Sequence, residues 1–449
     1  MIGRFERPHH DALRLLSVLA LAVLAIATHQ VWFDMGAAEA DLMIDNLGPV
    51  AWVLLALFGV TATRFWTLVV LATKDQFRII APLSYAASKE LPTVSVIVPA
   101  FNEGVTIRGS LASLLKVDYP DLEIIVVDDG SKDNTYLHAF RAQGLAARSG
   151  KRIKLLTQTN AGKAQALNFG ISEASGELMV CIDGDGVIAR DALMQAVKHF
   201  QDPAVGAVAG SVRVVNRQSL LTQLQALEYL TGLGLPKRAQ NTSDAVLIVP
   251  GPLGVFRRAA IQSVGGYEHD TYAEDFDMTL KILGAGWRVR YDRDVQGATE
   301  CPARLADLVK QRYRWSRGIL QVMGKRKAFF LQPRRQPLRC LGAWFLLFES
   351  VVLPLLNVGG HSAFVVSGLL FGVPELIVLW WLQLLLLDAS VSAFCLQSER
   401  EQPSLILIAP IQRIFYTLFI DVISLLSALD EWRGSKMSWG TLQRAGGFQ

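Results

Sequence analysis

The sequence predicts an α/β domain with a mostly parallel sheet, inserted between N-terminal and C-terminal transmembrane helices. Three observations carry this. The 449 residues are 51% hydrophobic and 19% charged, with a mean hydropathy of +0.31, more apolar than an ordinary soluble chain of this length. The long apolar runs are confined to the two ends of the chain. Between them, from about 90 to 335, polarity is ordinary and strand signals alternate with helix signals.

In chain order, residues 15 to 33 carry no formal charge, and at ~1.5 Å per residue they are long enough to cross a hydrocarbon core. The stretch 47 to 73 is comparable but contains Arg64. Residues 1 to 80 are therefore expected to hold two membrane helices. Arg4, Arg7 and Arg14 precede the first, whereas 34 to 46 has Asp34, Glu39, Asp41 and Asp45 and no basic residue. Lys74 and Arg78 follow the second. The excess of positive charge puts the N-terminus and the middle domain in the cytoplasm. A cleaved signal peptide, with "AEA" at 38 to 40 as its cleavage site, is the competing reading, but the apolar run is long for one.

Beyond Arg339, three apolar stretches at 341 to 371, 376 to 396 and 404 to 429 make 340 to 432 a C-terminal membrane region, followed by a tail at 433 to 449. Three crossings would leave that tail outside, yet Arg433, Lys436 and Arg444 favour the cytoplasm. One stretch is then interfacial, or the first crosses twice. Cys181, Cys301, Cys340 and Cys395 lie far apart and form no CxxC pair, which gives neither a disulfide framework nor a zinc site.

In the middle domain, 90 to 303, "TVSVIVPAFNE" reads as a buried strand and loop, followed by a helix from about 104. "LEIIVVDDGS" is a second strand and turn, "IKLLTQ" a third strand, and "NAGKAQALNFGISEA" a loop entering a helix. "LMVCIDGDG" is a fourth strand, ending in Asp183 and Asp185. Ligands of such sheets bind beyond the carboxyl ends of the strands, where Asn102, Asp128, Asp129, Asp183 and Asp185 all fall. Four carboxylates at one edge suit a divalent cation, which can in turn neutralise a diphosphate. No GxGxxG follows a strand and no GxxxxGK(S/T) occurs, so dinucleotide dehydrogenases and P-loop nucleotidases are disfavoured. Alone, "DDG" reads equally well as a side-chain-capped turn.

"TYAEDFDMTLKI" opens a helix with Glu274 and Asp275 in its first turn, where the helix dipole favours anions. A carboxylate there can also take a proton from an attacking hydroxyl. "QRYRWSRG" puts Gln311, Arg314 and Trp315 on one helix face, a guanidinium for phosphate and an indole for a sugar or base. From Arg304 to Arg339 there are eleven Lys or Arg and one acid, Asp307. This segment, 304 to 339, is expected to form basic interfacial helices, with Lys325, Arg326 and Lys327 on anionic lipid headgroups.

Together these pieces resemble the processive, membrane-integrated family 2 glycosyltransferases: the cellulose, chitin and hyaluronan synthases and, most of all, the bacterial poly-β-1,6-N-acetylglucosamine synthases. The matching segments are "VPAFNE", "VVDDGS", "NAGKAQALN", "IDGDG", "GPLGVFRR", "AEDFDMTLKI" and "QRYRW", in the family's order. The resemblance implies a GT-A type domain using a UDP-sugar donor and Mg²⁺ or Mn²⁺. It puts Asn102, Glu103, Asp128 and Asp129 at the nucleotide, the two aspartates at the uridine, and Lys163 near the diphosphate. Asp183 and Asp185 resemble the DxD metal pair, with Asp185 favoured as direct ligand. Asp275 matches the catalytic base with Glu274 beside it, and Gln311, Arg314 and Trp315 match the QxxRW motif of processive members. Two departures weaken the cellulose reading: Ala273 stands where those enzymes commonly have Thr, and no FxVTxK motif follows.

The expected activity is processive, inverting polymerisation of UDP-N-acetylglucosamine into a β-linked exopolysaccharide that is moved across the membrane. Arg64, Glu349, Arg413 and Asp421 either face the polymer's path or form interhelical ion pairs. Hyaluronan- or chitin-type synthesis is the first alternative. Single transfer to a polyprenyl phosphate is disfavoured by QxxRW, and a transporter with a nucleotide-sensing domain gives Asp275 no role. The expected setting is the cytoplasmic (inner) membrane, multi-pass, with lipid and the growing chain as partners, accessory membrane or periplasmic subunits as further ones, and no nucleic acid.

Overall fold

The computed structural model describes residues 49–78, 91–148, 151–331, 333, 337–372 and 374–435. The expected first span at 15 to 33, its charged flanks and the tail beyond 435 lie outside the described residues.

The middle domain is one eight-stranded sheet in the order β3-β2-β1-β4-β7-β6-β8-β5. Its strands are β1 (Val94–Ala100), β2 (Leu122–Asp128), β3 (Arg152–Thr157), β4 (Leu178–Cys181), β5 (Val187–Ile188), β6 (Val205–Val214), β7 (Gly254–Arg257) and β8 (Arg288–Thr299). The first four pair in parallel, as their alternation with helices requires. The second half is mixed, with β7 antiparallel to β4 and β6, β8 parallel to β6, and β5 antiparallel to β8. Four of the seven strand pairings are parallel, so the sheet is mostly parallel, as expected.

Both faces of the sheet are covered, which is why its first strands are continuously apolar. Val94, Val96 and Val98 of β1 pack with Ile107, Leu111 and Leu114 on one face. Ile97 points to the other and joins Leu167, Phe276, Val322 and Met323. Register aligns Ala100 with Asp128 and Asp128 with Thr157, so the loops after β1, β2 and β3 leave the sheet at one edge.

Three helices among the described residues have the length and composition to cross a bilayer: Pro337–Leu370, Trp380–Glu399 and Pro403–Trp432. They coincide with the three expected C-terminal stretches. The helix α1 (Pro49–Gln76) occupies the expected second span. Its Leu68, Val69 and Ala72 share a core with Val391, Phe394 and Cys395 and with Ala239 and Val214 of the middle domain. The apolar helices and the domain are thus packed against one another.

Several ionisable groups in these helices are paired between helices. Arg64 makes a two-pronged ion pair with Glu349, Arg413 lies 3.5 Å from Asp388, and Asn357 donates to Asp421 at 2.9 Å. All four cysteines are free and buried.

Candidate active site

The two aspartates at the end of β2 have different environments. Asp129 accepts three hydrogen bonds, from Gln158 Nε2 at 2.7 Å and from the Ala161 and Gly162 backbone N–H groups at 2.9 Å each. It therefore fixes the loop that delivers Lys163, and most of its expected capacity for a nucleoside is already taken. Asp128 is also buried, but its Oδ1 has no hydrogen-bond partner among the described residues. A buried carboxylate oxygen left open is costly unless something donates to it. Gly130 closes the turn at φ +73°, and a Cβ there would lie 2.9 Å from the Asn160 nitrogen.

Asn102, at φ 54°, accepts from the Lys132 N–H at 2.9 Å and donates its own N–H to Ser131 Oγ at 3.0 Å. Glu103 donates its N–H to Thr135 Oγ1 at 2.8 Å and accepts from Thr106 Oγ1 at 2.7 Å. Both residues bind the loop after β1 to the loop after β2.

A small cleft opens at this edge, lined by Lys163, Asp183, Gly251, Glu274 and Asp275 among others. Lys163 is the first residue of α2 (Lys163–Ser172), and its ammonium lies 2.7 Å from Asp183 and 2.8 Å from Glu274. Burial alone would weaken that charge, but Asp183, Glu274 and Asp275 outweigh it and hold the lysine above its ordinary value. Asp275, in the first turn of α3 (Glu274–Gly284), accepts from the Phe276 N–H at 2.8 Å and the Gly251 N–H at 3.3 Å. Its carboxyl is pushed up to about 6, first by burial and then by the neighbouring Glu274 charge, with Lys163 opposing. Asp185 is not among the residues lining the cleft; it is buried and accepts from Thr299 Oγ1 at 3.1 Å.

A second acidic group, Glu268, Asp270 and Asp277, could by geometry hold a metal ion. Here protein cations fill it. Lys325 reaches Glu268 at 2.5 Å and Asp277 at 3.0 Å, while Arg326 reaches Asp277 at 2.7 Å and Glu268 at 2.9 Å. Lys325 and Arg326 are thus committed to the domain rather than to lipid headgroups, because three carboxylates converge on them; Lys327 is exposed.

Gln311, Arg314 and Trp315 lie on α4 (Leu305–Lys325) and do not line the cleft. Gln311 is buried and accepts from Arg312, Arg314 is half-buried, and the Trp315 ring sits 6.3 Å from Tyr229. The helix nevertheless abuts the cleft wall, since a Cβ on Gly318 would stand 2.9 Å from both Ala273 Cβ and the Ala273 nitrogen. That close approach accounts for Ala273, because a bulkier residue before Glu274 would push α4 away.

Sequence reasoning missed Lys237. It stands on the helix Leu235–Asn241, half-buried, one turn before Gln240, whose side chain accepts from the Leu247 N–H at 3.1 Å. Burial lowers its ammonium to about 8, with Asp275 and Glu399 opposing. The only available signal was a lysine three residues before that glutamine.

Residues 95–265 match the family described as Glycosyl transferase family 2. The chain carries a family 2 glycosyl transferase domain. It is 32% identical over 264 residues to the poly-beta-1,6-N-acetyl-D-glucosamine synthase of Staphylococcus aureus strain COL, a match covering 59% of this chain and 62% of that one. The Staphylococcus epidermidis protein of the same name is 30% identical over 266 residues, with the same shares. The matched region thus spans less than two thirds of these relatives. Among solved structures, the mannosyltransferase PcManGT of Pyrobaculum calidifontis, determined with GDP-Man and Mn²⁺, superposes with a TM-score of 0.62 at 24% identity, over 86% of this chain and 99% of that one. The shared fold is the GT-A type α/β architecture, here with three apolar helices C-terminal to it.

Proposed function

We propose that the protein is a membrane-integrated inverting glycosyltransferase that transfers N-acetylglucosamine from UDP-N-acetylglucosamine to a growing β-linked chain, remains attached to it, and passes it across the cytoplasmic membrane. The observation that carries this reading is Asp275, a carboxyl pushed up to about 6 in a cleft whose wall also holds Lys163 and Asp183. Such a group accepts a proton near neutral pH more readily than an ordinary aspartate. The relatives' names supply the sugar and the linkage class.

In the proposed step, an acceptor hydroxyl attacks the anomeric carbon, its proton passes to Asp275, and the bond from that carbon to the diphosphate oxygen breaks with its electron pair leaving on UDP. Lys163 and Arg314 offset the charge that develops on the leaving diphosphate. Asp128 Oδ1 accepts from the nucleoside, and the Trp315 indole stacks on the acceptor sugar. The acid edge suits a cation, because the Lys163 ammonium already sits between Asp183 and Glu274. Asp183, which lines the cleft, would hold a divalent ion, with Asp185, two residues on, as the second expected ligand; the ion would supply charge neutralisation of the diphosphate.

The test is UDP release by the full-length protein in detergent with Mg²⁺ or Mn²⁺, comparing UDP-N-acetylglucosamine, UDP-glucose and UDP-glucuronate, with the product sized and digested by linkage-specific hydrolases. Polymer from UDP-N-acetylglucosamine alone supports the reading, and polymer needing UDP-glucuronate replaces it with a hyaluronan-type synthase. Asp275→Asn should lower transfer by about 10²- to 10⁴-fold, the usual weight of a general base, while UDP binding stays close to wild type. Substantial turnover in that variant would remove Asp275 from the role.

A further inference from the structure

Arg312, one of the residues of "QRYRW" to which the reading above gives no task, is 3% exposed and engaged on several sides. Its Nε and Nη2 donate to the two oxygens of Glu228 at 3.0 and 2.6 Å, and its Nη1 donates to Gln311. The face of the guanidinium lies 4.2 Å from the Trp315 ring centroid and 6.0 Å from that of Tyr229. Glu228 in turn accepts from the Tyr416 hydroxyl at 2.6 Å. Tyr416 is 5% exposed and belongs to one of the three apolar helices, Pro403–Trp432.

The two elements meeting at Glu228 share an irregularity. Glu228 ends the helix Leu220–Glu228 where it widens into a π-helical turn, Tyr229–Gly234. Tyr416 lies in a second π-helical turn, Gln412–Thr417. Gln412 also donates to Thr231 at 3.5 Å, tying the same two turns together. Such turns carry an extra residue per turn and recur where a helix must place a functional side chain. A planar guanidinium held by a carboxylate at its edge fixes the plane of whatever stacks on its face.

We propose that Arg312, Glu228 and Tyr416 are positioning residues for the Trp315 indole: the Arg312–Glu228 fork sets the plane of the ring, and Tyr416 makes that plane depend on the membrane helix. The inference rests on the reading that Trp315 stacks on the acceptor sugar. It assigns the three residues no contact with donor or acceptor, so removing them changes acceptor affinity and leaves donor affinity alone.

The experiment is a double-mutant cycle on full-length protein, with the KM of a β-linked N-acetylglucosamine oligosaccharide acceptor and the KM of the donor as readouts. Trp315→Ala is expected to raise the acceptor KM about tenfold with the donor KM unchanged. Tyr416→Phe, which leaves the Arg312–Glu228 pair intact and so preserves folding, is expected to raise the acceptor KM about three- to fivefold. In the Trp315→Ala background, Tyr416→Phe should have no further effect, because its influence passes through the ring. Arg312→Lys, which keeps the charge but loses the fork, should fall between wild type and Arg312→Met. If Trp315→Ala raises the acceptor KM but Tyr416→Phe and Arg312→Lys do not, the positioning role is overturned and the acceptor platform stands. The role also fails if Tyr416→Phe acts in full without the indole. An acceptor KM indifferent to Trp315→Ala removes the platform itself and the positioning role with it.

Discussion

At the scale of single residues, the cleft separates like charges by giving each a different partner. Asp129 has backbone and amide donors, Asp183 and Glu274 share one ammonium, and Asp275 has two backbone N–H groups and no cation of its own. Burial first, and the neighbouring Glu274 charge second, raise the proton affinity of Asp275. The sign of the pH dependence follows. A base must be ionised to work, so kcat/KM, which reports the free enzyme, should fall as pH drops through about 6. Glu274 raises Asp275 by its charge and also engages the lysine that opposes the rise. Glu274→Gln removes the first effect and weakens the second, so the acid limb should move down by about one pH unit. A profile between pH 4.5 and 9 for both proteins decides it, and an unmoved limb would exclude Glu274 as the cause.

At the scale of elements, the decisive contact is that of α4 with the segment entering α3. Gly318 has no side chain where Ala273 passes, and a methyl there would overlap backbone rather than a flexible tip. Gly318→Ala gains about 1 kcal/mol of helix propensity and loses about 1–3 kcal/mol to overpacking. Its net effect on stability is therefore small, whereas the displacement falls on Glu274 and Asp275. We expect a melting temperature within a few degrees of wild type and a transfer rate at least about tenfold lower, since a ~1 Å misplacement costs far more in rate than in stability. A variant with full activity would show that the contact is dispensable. The same elements show what was legible in the sequence. The strand ends at Asp128, Asp129 and Asp183 were, because β2 and β4 are mostly apolar runs that stop at polar loops. β6 and β8 were not: β6 is rich in Gly, Ala and Val, and β8 carries Arg288, Arg290, Asp292 and Arg293. Those charges find partners distant in sequence, Asp202, Asp244, His199 and the Ser398 carbonyl, that no local pattern reveals. Lys325 and Arg326 misled for the same reason: a run of basic residues looks alike whether lipid or a carboxylate cluster receives it.

At the scale of the whole molecule, the domain and the apolar helices share a hydrophobic core, and polar pairs also cross from helix to helix. The Arg64–Glu349 pair bridges α1 to the Pro337–Leu370 helix, with both side chains largely buried. Two readings of it differ in a measurable way. If the pair is structural, removing one partner strands a buried charge and costs about 3–5 kcal/mol, whereas replacing both with apolar groups of similar size is close to neutral. Glu349→Met should then lower the unfolding temperature of the detergent-solubilised protein strongly, and Arg64→Met with Glu349→Met should restore it along with polymer synthesis and export. If the pair instead lines the path of a hydrated polymer, the double variant regains stability but presents an apolar wall to hydroxyl-rich chain. Transfer would then continue while export from sealed vesicles is lost. The pairing seen here favours the structural outcome, because the Arg64 guanidinium is already matched by Glu349 in two-pronged geometry, the arrangement that satisfies a buried charge without solvent.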